Sequence, residues 1–366
     1  MTKIDRNGDF ASASCPKGVG PGGPTAKQNF VRVMISTTHD PFFNLATENW
    51  IFRDLDPRHK VLFLWRNEDT VVIGRFQNPW VECHTQKMQE DHVHLARRQS
   101  GGGAVFHDLG NTNFTFLSSK QDFDKTVNNQ IIIESLKHFD IQAQASGRND
   151  IVVQEDQEGP KKISGSAFKE TKDRAFHHGT LLINANLSRL SNYLNPDKKK
   201  LEGKGITSVK ARVANLKDFC PSINHEDLCN QIIKQFFTVH GGESPIEYLD
   251  VDYLRKQISL NRYYEELKDW NWRFGETPHF THHLEERFAW GGMDIHIDCD
   301  KGIIRDLKIY SDTLHPELVE GLTLFLRDSV YSPEGIQLAI NKASQELPMV
   351  RDYLSEFGNW LASRVY

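Results

Sequence analysis

Arg97-Arg98-Gln99-Ser100-Gly101-Gly102-Gly103-Ala104-Val105-Phe106-His107 is the stretch on which the reading of this chain turns. Three consecutive glycines between apolar segments cost conformational entropy on folding. The usual return is backbone that a ligand can approach closely, with N–H groups free to meet an anion. Arg97 and Arg98 add positive charge and fork-shaped donors suited to phosphate or carboxylate. Taken alone, the stretch also fits a tight turn with surface arginines. It is neither a P-loop, since no Lys-Ser/Thr pair follows, nor a dinucleotide fingerprint.

On both sides of this stretch the apolar pattern predicts short strands and a few helices. Strands are expected at Phe30–Ile35, at 61–65 and at 70–73, the last two joined as a hairpin through Asn67-Glu68-Asp69. Further strands are expected at 104–106, 113–118, 150–154, 162–168 and 175–184, with helices at 125–139 and 186–194. Asp40-Pro41 opens a helix on which Phe43, Ala46, Trp50 and Ile51 recur at helical spacing. Residues 224–268 read as mostly helical, with Asn224 as N-cap. Hairpin-length links mixed with helices favour an α+β sheet with antiparallel pairs over a βαβ repeat.

Gly275-Glu276-Thr277-Pro278-His279 breaks the pattern and divides a unit of residues 30–275 from one of 276–366. The second reads as a small α+β unit. It opens with a hairpin turning at Gly291-Gly292, has a second turn at Asp300-Lys301-Gly302, and ends in two or three helices. Residues 1–29 carry a Gly/Pro-rich run and too little apolar surface to offset ordering, so a disordered tail is expected.

Composition excludes several classes. The chain has 366 residues, a net charge of −5 and 38% hydrophobic residues, which suits a globular protein and gives no general nucleic-acid footprint. No apolar run is long enough to span a bilayer. Five widely spaced cysteines without a CxxC argue against zinc and for reduced thiols in the cytoplasm.

Four other segments can carry chemistry. Ser146-Gly147-Arg148-Asn149-Asp150 either shapes a turn or offers Asn149 to a phosphate and Asp150 to Mg²⁺. In Lys162-Ile163-Ser164-Gly165-Ser166-Ala167-Phe168, strand alternation puts Lys162, Ser164 and Ser166 on one face, either a polar edge or a cradle for phosphate. His177 and His178 fall on opposite faces of a strand, so at most one enters a shared site, and a structural role is the ordinary reading of each. Residues 198–212, rich in lysine and glycine, read as a solvated charge run or a mobile cationic lid. No GxSxG is present, and no cysteine sits in an activating context.

In combination and in this order, these segments resemble the lipoate–protein ligase A family. The resemblance runs from about Phe30 to the C-terminus and includes Phe176 to Leu182 and Leu194 to Lys200. It implies a large mixed-sheet domain of the biotin/lipoate-ligase kind with flanking helices, followed by a small α+β C-terminal domain. It implies ATP, Mg²⁺ and lipoate as reactants, with lipoyl-AMP as intermediate. The implied partners are apo lipoyl domains of 2-oxoacid dehydrogenase E2 subunits and the glycine-cleavage H protein, served by a monomeric enzyme. By the same resemblance Lys162 is the catalytic lysine. Trp65, Arg98, Ser100, Gly101, Gly102, Gly103, His107 and His178 are expected at lipoate. Arg98, Gly103, Ala104, Val105, Phe106, Asn149, Asp150, Lys162, Ser164, Ala167 and Lys210 are expected at the nucleotide. The tail of 29 residues is extra relative to a typical bacterial ligase of this kind. Two relatives by fold compete with this reading: a lipoyltransferase using preformed lipoyl-AMP, and an octanoyltransferase, which needs a nucleophilic cysteine.

Overall fold

The computed structural model describes residues 30–147, 149–154, 159–195, 213–275, 279–313 and 315–365. The expected tail and the basic loop at 198–212 lie outside them.

The chain begins β1 (Val31–Ser36), α1 (Pro41–Asp54), β2 (Lys60–Trp65) and β3 (Thr70–Ile73). After short helical turns come β4 (His94–Arg97), β5 (Val105–His107), β6 (Asn111–Ser119) and α2 (Lys125–Lys137). Next are β7 (Ala143–Ser146), β8 (Asp150–Val153), β9 (Lys161–Glu170), β10 (Arg174–Leu182) and α3 (Leu187–Tyr193). The first unit closes with α4 (His225–His240), β11 (Ile246–Leu249) and α5 (Ile258–Lys268). The last part holds β12 (Phe280–Phe288), β13 (Gly291–Asp300), β14 (Ile303–Ser311), α6 (Pro316–Leu326), α7 (Pro333–Glu346) and α8 (Arg351–Val365).

Eight strands form one mixed sheet in the order β11-β1-β2-β6-β10-β9-β8-β7. β1 pairs in parallel with β2 and β11, and the remaining neighbours are antiparallel. β2 is apolar and buried from Val61 to Trp65 because both faces are covered there. Leu62 and Leu64 meet the α2 and α4 residues Ile131, Leu136, Leu228 and Ile232 on one side. Phe63 and Trp65 meet Phe43, Trp50 and Leu260 of α1 and α5 on the other. Asp40 caps α1 by accepting from the backbone N–H groups of Phe42 and Phe43 at 2.8 and 3.2 Å.

Two expectations are corrected. β2 and β3 do not form a hairpin: β3 leaves for a second sheet of order β4-β3-β5. The link between them is not a surface turn, because Asn67 is buried and accepts from Asn44 Nδ2 at 3.0 Å. The stretch 224–268 is mostly helical as expected, and it also contains a four-residue strand, β11, which pairs along β1. In the C-terminal hairpin, Phe288 faces Gly291, so Ala289-Trp290 makes the turn and the two glycines begin β13.

The C-terminal sheet β12-β13-β14 packs its inward face on α6, α7 and α8, and this core is continuous with the small sheet. Trp80 bridges them: it stacks on Phe280 at 5.0 Å between centroids and donates Nε1–H to Val365 O at 3.0 Å. No helix among the described residues is long and apolar enough to cross a membrane.

Candidate active site

Where the small sheet meets β9 and β10, a cavity of about 190 Å³ opens. Its wall includes Trp65, Arg98, Gly102, Gly103, Ala104, Val105, His107, Asn149, Lys162, Ala167 and His178. Segments far apart in sequence, at 65–107 and 149–180, thus converge on one concave surface.

Lys162 is the lysine among the described residues of the wall. Its Nζ lies 2.7 Å from Asp150 Oδ1, and its side chain keeps 26% exposure. The backbone makes room for it: a Cβ on Gly165 would stand 2.7 Å from Lys162 Nζ. Strand β9 does not hold Lys162, Ser164 and Ser166 on one face as alternation predicts. The pairing with β8 shifts register between Ile151 and Val152, which rotates the strand locally. Ser166 reaches the cavity, whereas Ser164 is absent from its wall and its hydroxyl is buried with no partner among the described residues.

The glycine stretch lines the wall at Gly102 and Gly103. Gly102 adopts φ +94°, where a side chain is strained, and a Cβ there would meet Arg98 Nη2 at 2.9 Å. The two arginines are not free for an anion as the sequence suggests. Arg97 is buried and donates to the carbonyls of Arg75, Gln77, Trp272 and Arg273 at 2.7 to 3.1 Å. Arg98 donates to Val72 O, Gly101 O, Gly103 O and Ser100 Oγ, so it shapes the loop that it borders. Burial lowers its pKa to about 10, with Glu48 opposing the shift.

A buried relay links this loop to the tryptophan wall. Arg98 Nε donates to Ser100 Oγ at 3.0 Å, Ser100 Oγ to His178 Nε2 at 2.7 Å, and His178 Nδ1 to Glu48 Oε2 at 2.8 Å. Trp65 Nε1 donates to Thr115 Oγ1 at 3.1 Å, and Thr115 Oγ1 to the same Glu48 oxygen at 2.8 Å. The tautomer of His178 follows from this network. Carboxylate, imidazole and hydroxyl in line suggest a nucleophilic triad, but Ser100 is 1% exposed and does not line the cavity. The relay orients; it does not attack. Glu48 is the residue that sequence reasoning missed. Its signal was the group Asn44, Thr47, Glu48 and Asn49, all buried in an otherwise apolar helix.

His107 closes the wall beside Trp65, 6.1 Å between ring centroids. Asn67 Nδ2 donates to its Nδ1 at 3.2 Å, which leaves Nε2–H buried with no partner among the described residues. Burial, aided by Arg98 and His178, lowers its pKa to about 3, so the ring is a neutral donor. His177 faces away, among Phe114, Phe116 and Phe168, and burial holds it at about 3 as well.

Phe106 turns from the cavity and packs on Tyr193, contrary to its expected nucleotide contact. Ser100, Gly101 and Asp150 reach the wall only through neighbours, His178, Arg98 and Lys162. Lys210 lies outside the described residues. Among the described cysteines none lines the cavity, and burial pushes the Cys83, Cys229 and Cys299 thiols up to about 12.

A cavity that joins apolar wall to a lysine, a neighbouring carboxylate and a glycine-rich rim suits a small carboxylic acid beside a phosphate group, and the comparisons with known proteins give the class, an acyl-transferring ligase. The family described as "Lipoyl protein ligase A/B catalytic domain" matches residues 40–237, and "Bacterial lipoate protein ligase C-terminus" matches 277–361. A curated lipoate-protein ligase A of Psychrobacter cryohalolentis is 53% identical over 336 residues, 90% of this chain and 98% of that one. Plasmodium falciparum LipL1, solved in complex with lipoate, is 35% identical with a TM-score of 0.58, covering 91% of this chain and 99% of its own. The bi-partite ligase of Thermoplasma acidophilum, solved in an analysis that includes its E2 lipoyl domain, is 26% identical, with TM-score 0.57 and coverage of 66% and 95%. A lipoate-protein ligase A bound with ATP is also 26% identical, with TM-score 0.53 and the same coverage. The chain belongs to the lipoate–protein ligase A family, and it is an ATP-dependent lipoate–protein ligase.

Proposed function

We propose that the enzyme works in two half-reactions within this one cavity. A carboxylate oxygen of lipoate attacks the α-phosphorus of ATP, pyrophosphate leaves, and lipoyl-AMP forms. The amine of an acceptor lysine then attacks the lipoyl carbonyl, AMP leaves, and an amide remains. The observation that carries this is Lys162, a cation in the wall of a partly apolar cavity. The first step brings two anions together, and a positioned ammonium offsets their repulsion and stabilises charge on both phosphate and carbonyl.

Trp65, His107 and His178 form the lipoate side of the cavity, with His107 Nε2–H as a donor to the acyl oxygen. Gly103, Ala104, Val105, Asn149 and Ala167 form the nucleotide side. Asp150 offers the oxygen ligand that Mg²⁺ prefers, and with the substrate phosphates it would hold that ion, which supplies further charge neutralisation. The absence of a wall cysteine among the described residues speaks against an acyl-enzyme route.

The acceptors are apo lipoyl domains of E2 subunits and the glycine-cleavage H protein, a reading supported by the lipoyl domain of the Thermoplasma system. Residues 30–275 act as the catalytic unit and 276–366 as an accessory unit. The four free cysteines described fit a reducing compartment, the cytoplasm.

Intact mass of an apo lipoyl domain after incubation with the enzyme, lipoate, ATP and Mg²⁺ tests the scheme. One lipoyl group added only when ATP is present supports it. Addition only from synthetic lipoyl-AMP overturns the first half-reaction.

A further inference from the structure

The solvent face of the C-terminal sheet carries a second group of ligating side chains, remote in sequence from the cavity wall and sharing no residue with it. Burial alternates strictly along β13: Met293, Ile295 and Ile297 face the core, while Asp294 and His296 face out. On β12, His283 and Glu285 are likewise exposed. The antiparallel register sets His283 opposite His296 and Glu285 opposite Asp294. Two imidazoles and two carboxylates therefore occupy one patch on two adjacent strands.

Within the patch the atoms converge. The Nε2 atoms of His283 and His296 lie 2.7 and 3.2 Å from the same oxygen, Asp294 Oδ1. Glu285 Oε1 is 3.3 Å from His283 Nε2. The two rings stack with centroids 4.3 Å apart and planes 8° from parallel. Ligand atoms of His283, Asp294 and His296 all fall within 4.8 Å of one another.

We propose that His283, Asp294 and His296 form a surface site for a divalent transition-metal ion of the zinc class, with water completing the shell. Zinc–ligand distances of about 2.0–2.2 Å put neighbouring tetrahedral ligands roughly 3.3–3.6 Å apart, so the two nearly parallel rings would turn toward a common point and Asp294 Oδ1 would move away from His283 Nε2 to admit the ion. Two imidazole nitrogens and a carboxylate match zinc, copper or nickel. Magnesium prefers an all-oxygen, largely hydrated shell, so the Mg²⁺ that accompanies ATP does not compete. Tyr310, opposite Asp294 on β14, stands edge-on to the His296 ring at 6.0 Å and limits its rotamers. Lys308, opposite His296, is the flanking cation, on a long exposed side chain that can turn away. A bound ion would tie β12 to β13 across the register.

Zinc binding is measured by native mass spectrometry on the untagged full chain in excess Mg²⁺. The unaltered protein should hold one more Zn²⁺ than a His283→Ala/His296→Ala variant. Asp294→Asn should weaken that ion by at least the roughly tenfold that even an outer-sphere partner is worth. His279→Ala, on the same sheet face but outside the patch, should leave it unchanged. Equal zinc content in the unaltered and double-substituted proteins overturns the proposal. Co²⁺ absorption of the unaltered protein decides independently of how the variants fold. Visible bands of a tetrahedral site without near-ultraviolet thiolate absorption support the patch, and a thiolate band assigns the metal to a cysteine instead.

Discussion

Lys162 shows how little of a side chain's role rests on its type alone. Lysines are common in this sequence, but this one lies over Gly165 with its ammonium against Asp150, in the wall of the cavity. Lys162→Ala should lower pyrophosphate release from ATP and lipoate by about 10²–10³-fold, the scale of losing one preorganised charge-stabilising donor. Its far-ultraviolet circular dichroism should match that of the unaltered protein. Glu48 is the complementary case, a carboxylate that touches no cavity yet accepts from His178 and Thr115. Glu48→Ala strands two buried donors, at about 1–3 kcal/mol for each unsatisfied group. Urea titration should show a lower midpoint, and Glu48→Gln, which keeps one acceptor, should recover part of the loss.

At the scale of elements, β9 and β10 decide the site together. The irregular register of β9 against β8 brings Lys162 to the cavity and sends Ser164 into the interior. Gly165→Ala would set a Cβ within 3 Å of the end of the lysine side chain, a flexible group that can give way. Turnover should fall while the melting temperature holds, which a melting curve beside an activity assay would reveal. β10 carries a buried pH dependence. His177 takes a proton only near about 3 in the folded chain, against 6.5 when unfolded. Between these values the unfolded state holds more protons, so stability is complete above 6.5 and falls as pH drops toward 3. The slope from this residue is at most about 1.4 kcal/mol per pH unit. His177→Phe, among three phenylalanines, should flatten that acid limb when urea midpoints are compared at neutral and mildly acidic pH.

For the whole molecule, the two parts share a core rather than a flexible tether. Val71, Ile73 and Leu95 of the small sheet belong to the same apolar cluster as Ile295, Leu322 and Phe357. Trp80 is held by Val365 O and Phe280. A chain ending at residue 275 would lose these partners and expose their apolar contacts. Burying such a side chain is worth about 1.5–3 kcal/mol each, so light scattering should report an aggregating product rather than a stable catalytic unit. A monodisperse, fully active 30–275 fragment would contradict this.

The sequence by itself determined the strands and helices whose patterns are local: β1, α1 with its Asp40 cap, α2, the Lys301-Gly302 turn, and the glycine-rich rim. Each depends on periodicity, capping or backbone freedom, which neighbouring residues encode directly. It also indicated Lys162 and His178 as residues of one site, through resemblance rather than through spacing. Only the tertiary structure decided that β2 and β3 part into different sheets, that β11 closes the edge beside β1, and that Arg97 and Arg98 donate to carbonyl oxygens of the chain itself. It alone supplied Glu48, 130 residues from its partner His178. The physical reason is common to all of these. Pairing partners, burial and hydrogen-bond acceptors are set by segments distant in sequence, and a side chain's chemistry follows from which of its groups those segments have already satisfied.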